Sequence, residues 1–165
     1  MFAALSAVFS QLAVPIGPVP ITLTHVSVFL AAGLLGAKRA FISQAVFVLL
    51  GVFGLPVFAN FSGGIGVLAG PTGGFIIGYL LCAFVSGVLI KKTGGSAAML
   101  AVSFYAGWAV TYAAGVPWFM YVTGSNFFAA LAVCVLPFLA GDALKTAVAV
   151  TIVRRLRAAE SIIAL

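Results

Sequence analysis

Hydrophobic residues run almost unbroken along this chain, so its few polar positions carry most of the information. Apolar segments are separated by Gly/Pro turns and show no period-2 alternation, which predicts helices rather than a barrel. The pattern predicts helices over about 1–14, 23–37, 40–54, 72–90, 96–114 and 138–157, with a short helix at about 126–136. Pro15-Ile16-Gly17-Pro18-Val19-Pro20 reads as an extended connection, because each proline fixes φ and biases its predecessor away from the helix. Thr22 or Thr24 then suits an N-cap. Residues 55–71 are glycine-rich yet keep Phe58, Phe61, Ile65 and Leu68, unlike a hydrophilic flexible linker. This stretch reads as an ordered loop capping a pocket, since irregular apolar backbone at a membrane persists only where it packs on protein or lines a cavity.

Composition fixes the class. The chain is 64% hydrophobic and 6% charged, with a mean hydropathy of +1.31. A soluble domain of 165 residues cannot bury that much apolar surface. The expected fold is an all-α integral membrane protein, one membrane domain over residues 1–165. The start has no basic region before its apolar run and meets Pro15, so it does not read as a signal peptide.

Charge supplies the topology. The formal net charge is +6, but its distribution argues against nucleic acid. Lys38-Arg39, Lys91-Lys92 and Arg154-Arg155-Arg157 each close an apolar segment. With both termini cytoplasmic, six transmembrane helices place all three clusters inside and leave the outer loops without Lys, Arg, Asp or Glu, as the positive-inside rule requires.

Two charges break this pattern. Asp142 is the only aspartate, and Lys145 is the only basic residue not at a segment end. Three residues apart, they share a helix face, about one turn inside the outer end of the sixth helix. Charge at that depth costs about 2.5 kcal/mol or more and marks a functional site by default; the competing reading is a structural ion pair between helices. His25 opens the second helix on the same side. Convergence of the acid–base pair, His25 and the glycine-rich loop predicts an outward-facing pocket for a small molecule. Asn60 supplies donor and acceptor groups from the loop, and Gly63 and Gly64 allow close backbone approach. Phe58, Phe61, Phe75 and Tyr79 are candidate walls. Ala3 and Ala7 form a small-xxx-small pair suited to close helix contact. Cys82 and Cys134 have no CxxC or histidine companion, so no metal site is expected. No nucleotide loop or nucleophile elbow is present, so neither ATP hydrolysis nor another catalytic activity is expected.

Three blocks in order, Gly17-Pro18-Val19-Pro20-Ile21-Thr22-Leu23, Gly54-Leu55-Pro56-Val57-Phe58 through Ser62-Gly63-Gly64 to Gly70-Pro71-Thr72-Gly73-Gly74-Phe75, and Pro137-Phe138 through Gly141-Asp142 to Lys145, resemble the BioY family over nearly the whole chain. Those proteins are the biotin-binding S components of energy-coupling factor (ECF) transporters. The resemblance implies a multi-pass protein of the plasma membrane that captures biotin outside the cell. It implies delivery through a transmembrane coupling subunit and two ATPase subunits, with no cofactor beyond the transported ligand. It also implies that Ala3 and Ala7 face the coupling subunit. His25 stands where many family members have Gln, and the chain starts closer to its first helix than is usual, so a truncated start is expected. The alternatives are an S component for another vitamin, or a facilitator acting alone.

Overall fold

The computed structural model describes residues 1–15 and 18–163. In chain order it comprises α1 (Phe2–Gln11), β1 (Ala13–Val14), β2 (Ile21–Thr22), α2 (Thr24–Leu35), α3 (Ala37–Val52), a 3-10 turn at Ala59–Phe61, α4 (Ile65–Ala69), α5 (Gly73–Thr93), α6 (Ala97–Thr123), α7 (Phe127–Cys134) and α8 (Leu139–Ile163).

The centre of the bundle is α2. Every residue from Thr24 to Gly33 is buried, because α1, α3, α5 and α8 surround it. A helix apolar on all sides is stable only in such a position or in lipid. Small residues bring α5 and α6 together. A Cβ added to Gly78 would lie 3.0 Å from Thr111 Cγ2, and one added to Gly107 would lie 2.7 Å from Cys82 Sγ. Close approach of this kind replaces the hydrophobic driving force that lipid does not supply.

Among the described residues, α5 and α6 are each long and apolar enough to cross a membrane. The pair α7 and α8 forms a third candidate, bent by 49° at the break between them, as Pro137 leads one to expect. The helices α1 and α2 are apolar but have 10 and 12 residues.

Several boundaries differ from the sequence reading. The helix expected to stop near 114 continues through Pro117 to Thr123. Membrane helices tolerate proline where neighbours or local adjustment re-satisfy the freed carbonyl. The first helix ends at Gln11, since Ala13–Val14 pairs antiparallel with Ile21–Thr22. The expected extended connection falls between these two strands in sequence, and its Ile16 and Gly17 lie outside the described residues. Gly36, at φ +76°, ends α2 early, so Lys38 and Arg39 open α3. The stretch 55–71, expected to be irregular throughout, contains the 3-10 turn and α4. Neither expected threonine caps α2, which has no side-chain cap; Thr24 Oγ1 donates instead to Thr22 Oγ1 at 2.9 Å.

At the end of the bundle where α2 and α5 finish, the Arg157 Nε donates to the Gly33 carbonyl at 2.9 Å, and its Nη2 donates to the same oxygen. The basic residues other than Lys145 cluster there. The opposite end, where α2, α5 and α8 begin, holds the cavities.

Candidate functional site

Two adjoining cavities open where α2 and α5 begin. The larger, about 200 Å³, lies between α1, the 18–24 segment, α5 and the 58–72 stretch. Its polar lining is neutral: Ser10, Thr22, Thr24, Asn60, Ser62 and Thr72. The smaller, about 30 Å³, reaches inward to His25, Trp108, Thr111, Tyr112 and Lys145. Val19, Pro20, Thr22, Phe75 and Tyr79 line both.

The inner end is a network of helix-borne side chains. Asp142 and Lys145 are 3% and 5% exposed, and Lys145 Nζ donates to Asp142 Oδ1 at 3.3 Å. Tyr112 Oη donates to the other oxygen, Asp142 Oδ2. The buried carboxylate is therefore held from two helices. Lys145 Nζ also sits over the Trp108 ring, 5.3 Å from its centroid, a distance at which a cation is drawn to the ring face. The Trp108 Nε1–H donates to Thr146 Oγ1 at 3.1 Å. His25 stacks on Trp108 with centroids 3.7 Å apart and meets the Tyr79 ring edge-on at 4.8 Å. Its Nε2 lies 3.5 Å from Thr111 Oγ1.

This arrangement divides labour within the pair. Lys145 lines the smaller cavity, whereas Asp142 lines neither. An ammonium has three N–H donors, and one is committed to Asp142. The rest are available to an acceptor in the cavity. The pair is electrically balanced, so this end favours a polar neutral group over a second carboxylate.

The outer end is made from backbone. Phe58 is buried against Phe47, Val48 and Ile76 and anchors the turn that follows. Phe58 N–H donates to Ser62 C=O at 3.0 Å, and Ser62 Oγ donates to Ala59 C=O at 2.8 Å. Within this turn Asn60 and Phe61 hold φ values of 57° and 55°. Left-handed backbone costs a residue with a Cβ about 1–2 kcal/mol.

Of the residues expected at a site, Lys145, His25, Asn60, Phe75 and Tyr79 line these cavities, as does Phe58. Phe61 is 72% exposed and lines neither. Gly63 and Gly64 also line neither. A Cβ on Gly63 would strike the Leu55 carbonyl, and Gly64 has φ +94°, so both glycines shape the loop. Ala3 and Ala7 are half-buried and pack beside the Phe47–Phe58 cluster of their own chain. The sequence pattern does not single out Trp108, Thr111 or Tyr112, which also line the smaller cavity. Phe104, Trp108 and Tyr112 recur every four residues on α6, but in a chain this aromatic the spacing does not separate a site from a core. Among the described residues, no group of three or more His, Cys, Asp or Glu could hold a metal ion.

Residues 1–161 match the model of the BioY family. The biotin transporter BioY of Thermotoga maritima is 44% identical over 97% of this chain and 94% of its own length. The probable biotin transporter BioY of Pyrococcus horikoshii is 40% identical over 95% of this chain and 92% of its own. A crystal structure of the S-component for biotin from an ECF-type ABC transporter superposes with a TM-score of 0.89 at 32% identity, covering 94% of this chain and 86% of that one.

Proposed function

This chain belongs to the BioY family, a family of transporter components and not of enzymes, and from that premise we propose that it captures biotin outside the cell for ATP-driven uptake. In this reading it is a single multi-pass domain of the plasma membrane with six spans, α1, α2, α3, α5, α6 and α8. Both termini are cytoplasmic, and the 55–71 loop caps the site. The observation that carries the reading is Lys145, buried, paired and facing a cavity whose remaining polar lining is neutral.

Biotin suits that chemistry. Its ureido group has a carbonyl acceptor and N–H donors, its thioether ring is apolar, and its tail ends in a carboxylate. Lys145 donates to the ureido carbonyl. Asp142, which lines neither cavity, acts by orienting Lys145 and balancing its charge. His25, Phe75 and Tyr79 flank the ring system. The tail runs toward Asn60 and the hydroxyls of the larger cavity, and Gly63 and Gly64 serve by shaping the cap. Removing one partner of such a dry contact leaves the other unsatisfied, which is how the pocket rejects analogues lacking the ureido.

Ala3 and Ala7 remain the proposed contact for the transmembrane coupling subunit, which works with two ATPase subunits. Both are small and only partly covered by the Phe47–Phe58 cluster, and small side chains on α1 suit the close approach of a partner helix.

Native mass spectrometry of the purified protein tests the ligand. Biotin should copurify, or bind when added. A different vitamin, or none, contradicts the reading. For topology, single cysteines at Ser62 and Thr93, in a background lacking Cys82 and Cys134, should react from opposite sides. Ser62→Cys should label in intact cells with an impermeant maleimide, and Thr93→Cys only after permeabilisation. Labelling of both from outside rules out six spans.

A further inference from the structure

We infer that Gln11 is a positioning residue for the wall of the larger cavity, holding the Phe58–Ser62 turn, and with it the Asn60 amide, against the end of α1. The inference deepens the biotin-capture reading and relies on it for its ligand arm.

The geometry is specific. Gln11 Nε2 donates to the carbonyls of Phe58 at 3.1 Å and Pro56 at 3.3 Å. In return, the Phe61 N–H donates to Gln11 Oε1 at 2.9 Å. Next to it, Ser10 Oγ donates to the Val57 carbonyl. Two consecutive residues at the last turn of α1 thus grip four backbone positions nearly fifty residues away. The amide orientation follows from the partners: an acceptor must face the Phe61 N–H and donors must face the carbonyls. Nε2 also lies 3.1 Å from Ser10 Oγ and 3.3 Å from the Ala7 carbonyl, so its two hydrogens are shared and the side chain is held from both sides.

What Gln11 grips is the strained part of the loop. Its bonds to Phe58 and Phe61 enclose Asn60 and include one of the two left-handed residues. Strained backbone persists only where its surroundings over-determine it, and it concentrates at sites of function. Phe58, Ala59, Asn60 and Ser62 all line the larger cavity. Releasing Gln11 frees this segment to relax out of its left-handed conformation and withdraws Asn60 from the cavity wall. A side chain that merely satisfied its own helix terminus would bond to α1 carbonyls alone.

Gln11→Met keeps the length and bulk and removes every hydrogen bond made by the Gln11 side chain, leaving the Ser10–Val57 bond in place. Without ligand, amide exchange of a peptide covering residues 55–64 should accelerate about tenfold, while peptides from α5 stay at the wild-type rate. Bound biotin should dissociate about tenfold faster. Unchanged exchange at 55–64, or faster exchange spread evenly over α5 and α6, overturns the positioning role. So does local loosening with an unchanged release rate. If wild-type protein binds no biotin, the transport reading fails, and the exchange measurement still decides whether Gln11 holds the loop.

Discussion

Around Lys145 the candidate site consists of helix-borne side chains tied to one another, whereas around Asn60 it consists of a turn tied to α1 through its backbone. The first region is charged, deeply buried and anchored on α6 and α8. The second is neutral, and its backbone is held in an unfavourable conformation. Under the proposed function, the difference would let one pocket combine selectivity with access. A preorganised charged network penalises any ligand that leaves a donor unpaired, because desolvation of that donor is not returned. A loop held by a few hydrogen bonds belongs to the low-stability part of a fold, from which mobile elements are drawn.

The comparison predicts a gradient of effects. Lys145→Met should be the most severe, weakening biotin binding by about 2–4 kcal/mol, the range for breaking a buried charged contact. That corresponds to roughly one to three decades in affinity, measurable by titration calorimetry. Tyr112→Phe removes one donor to Asp142 and leaves the ring. It should cost about 1.5 kcal/mol, or roughly tenfold, provided Asp142 must be held in place to present Lys145. An unchanged affinity would show that the lysine alone sets its own position.

Effects at the neutral end should be smaller. Asn60→Ala should weaken binding by about 0.5–1.5 kcal/mol, as for a neutral hydrogen bond. A loss equal to that of Lys145→Met would erase the distinction between the two regions. The mildest change should be in the ligand itself. Among the described residues no cationic side chain lines the larger cavity, so replacing the tail carboxylate with an amide should cost less than about tenfold by competition binding. A loss of several decades would place the carboxylate, and not the ureido, at Lys145.

The sequence made the helix-borne region far more legible than the loop-borne one. Asp142 and Lys145 stand out because ionisable residues are rare in an apolar helix, and helical spacing alone puts them on one face. The helix order also follows from apolar runs and prolines, with Pro137 marking the bend between α7 and α8. Pro117 misled, because the same residue type can end a helix or be absorbed within one. Tyr112 and Trp108 were hidden by composition, since one more aromatic among many carries no signal. Gln11 was invisible for another reason: its partners are backbone groups of residues 56–61, and sequence says nothing about which distant carbonyl a side chain will meet. Gly63 and Gly64 stand out in the sequence, but glycine signals backbone demand without saying whether a ligand or the loop itself makes it.

The most direct test is a double-mutant cycle on Asp142→Asn, Lys145→Met and the combined variant, with biotin affinity and melting temperature measured on each. The account predicts that each single substitution weakens binding by about one to three decades, and that the double mutant costs less than their sum because the two residues share one site. Near-normal affinity together with a lowered melting temperature would contradict it, reducing the pair to a structural link within the bundle.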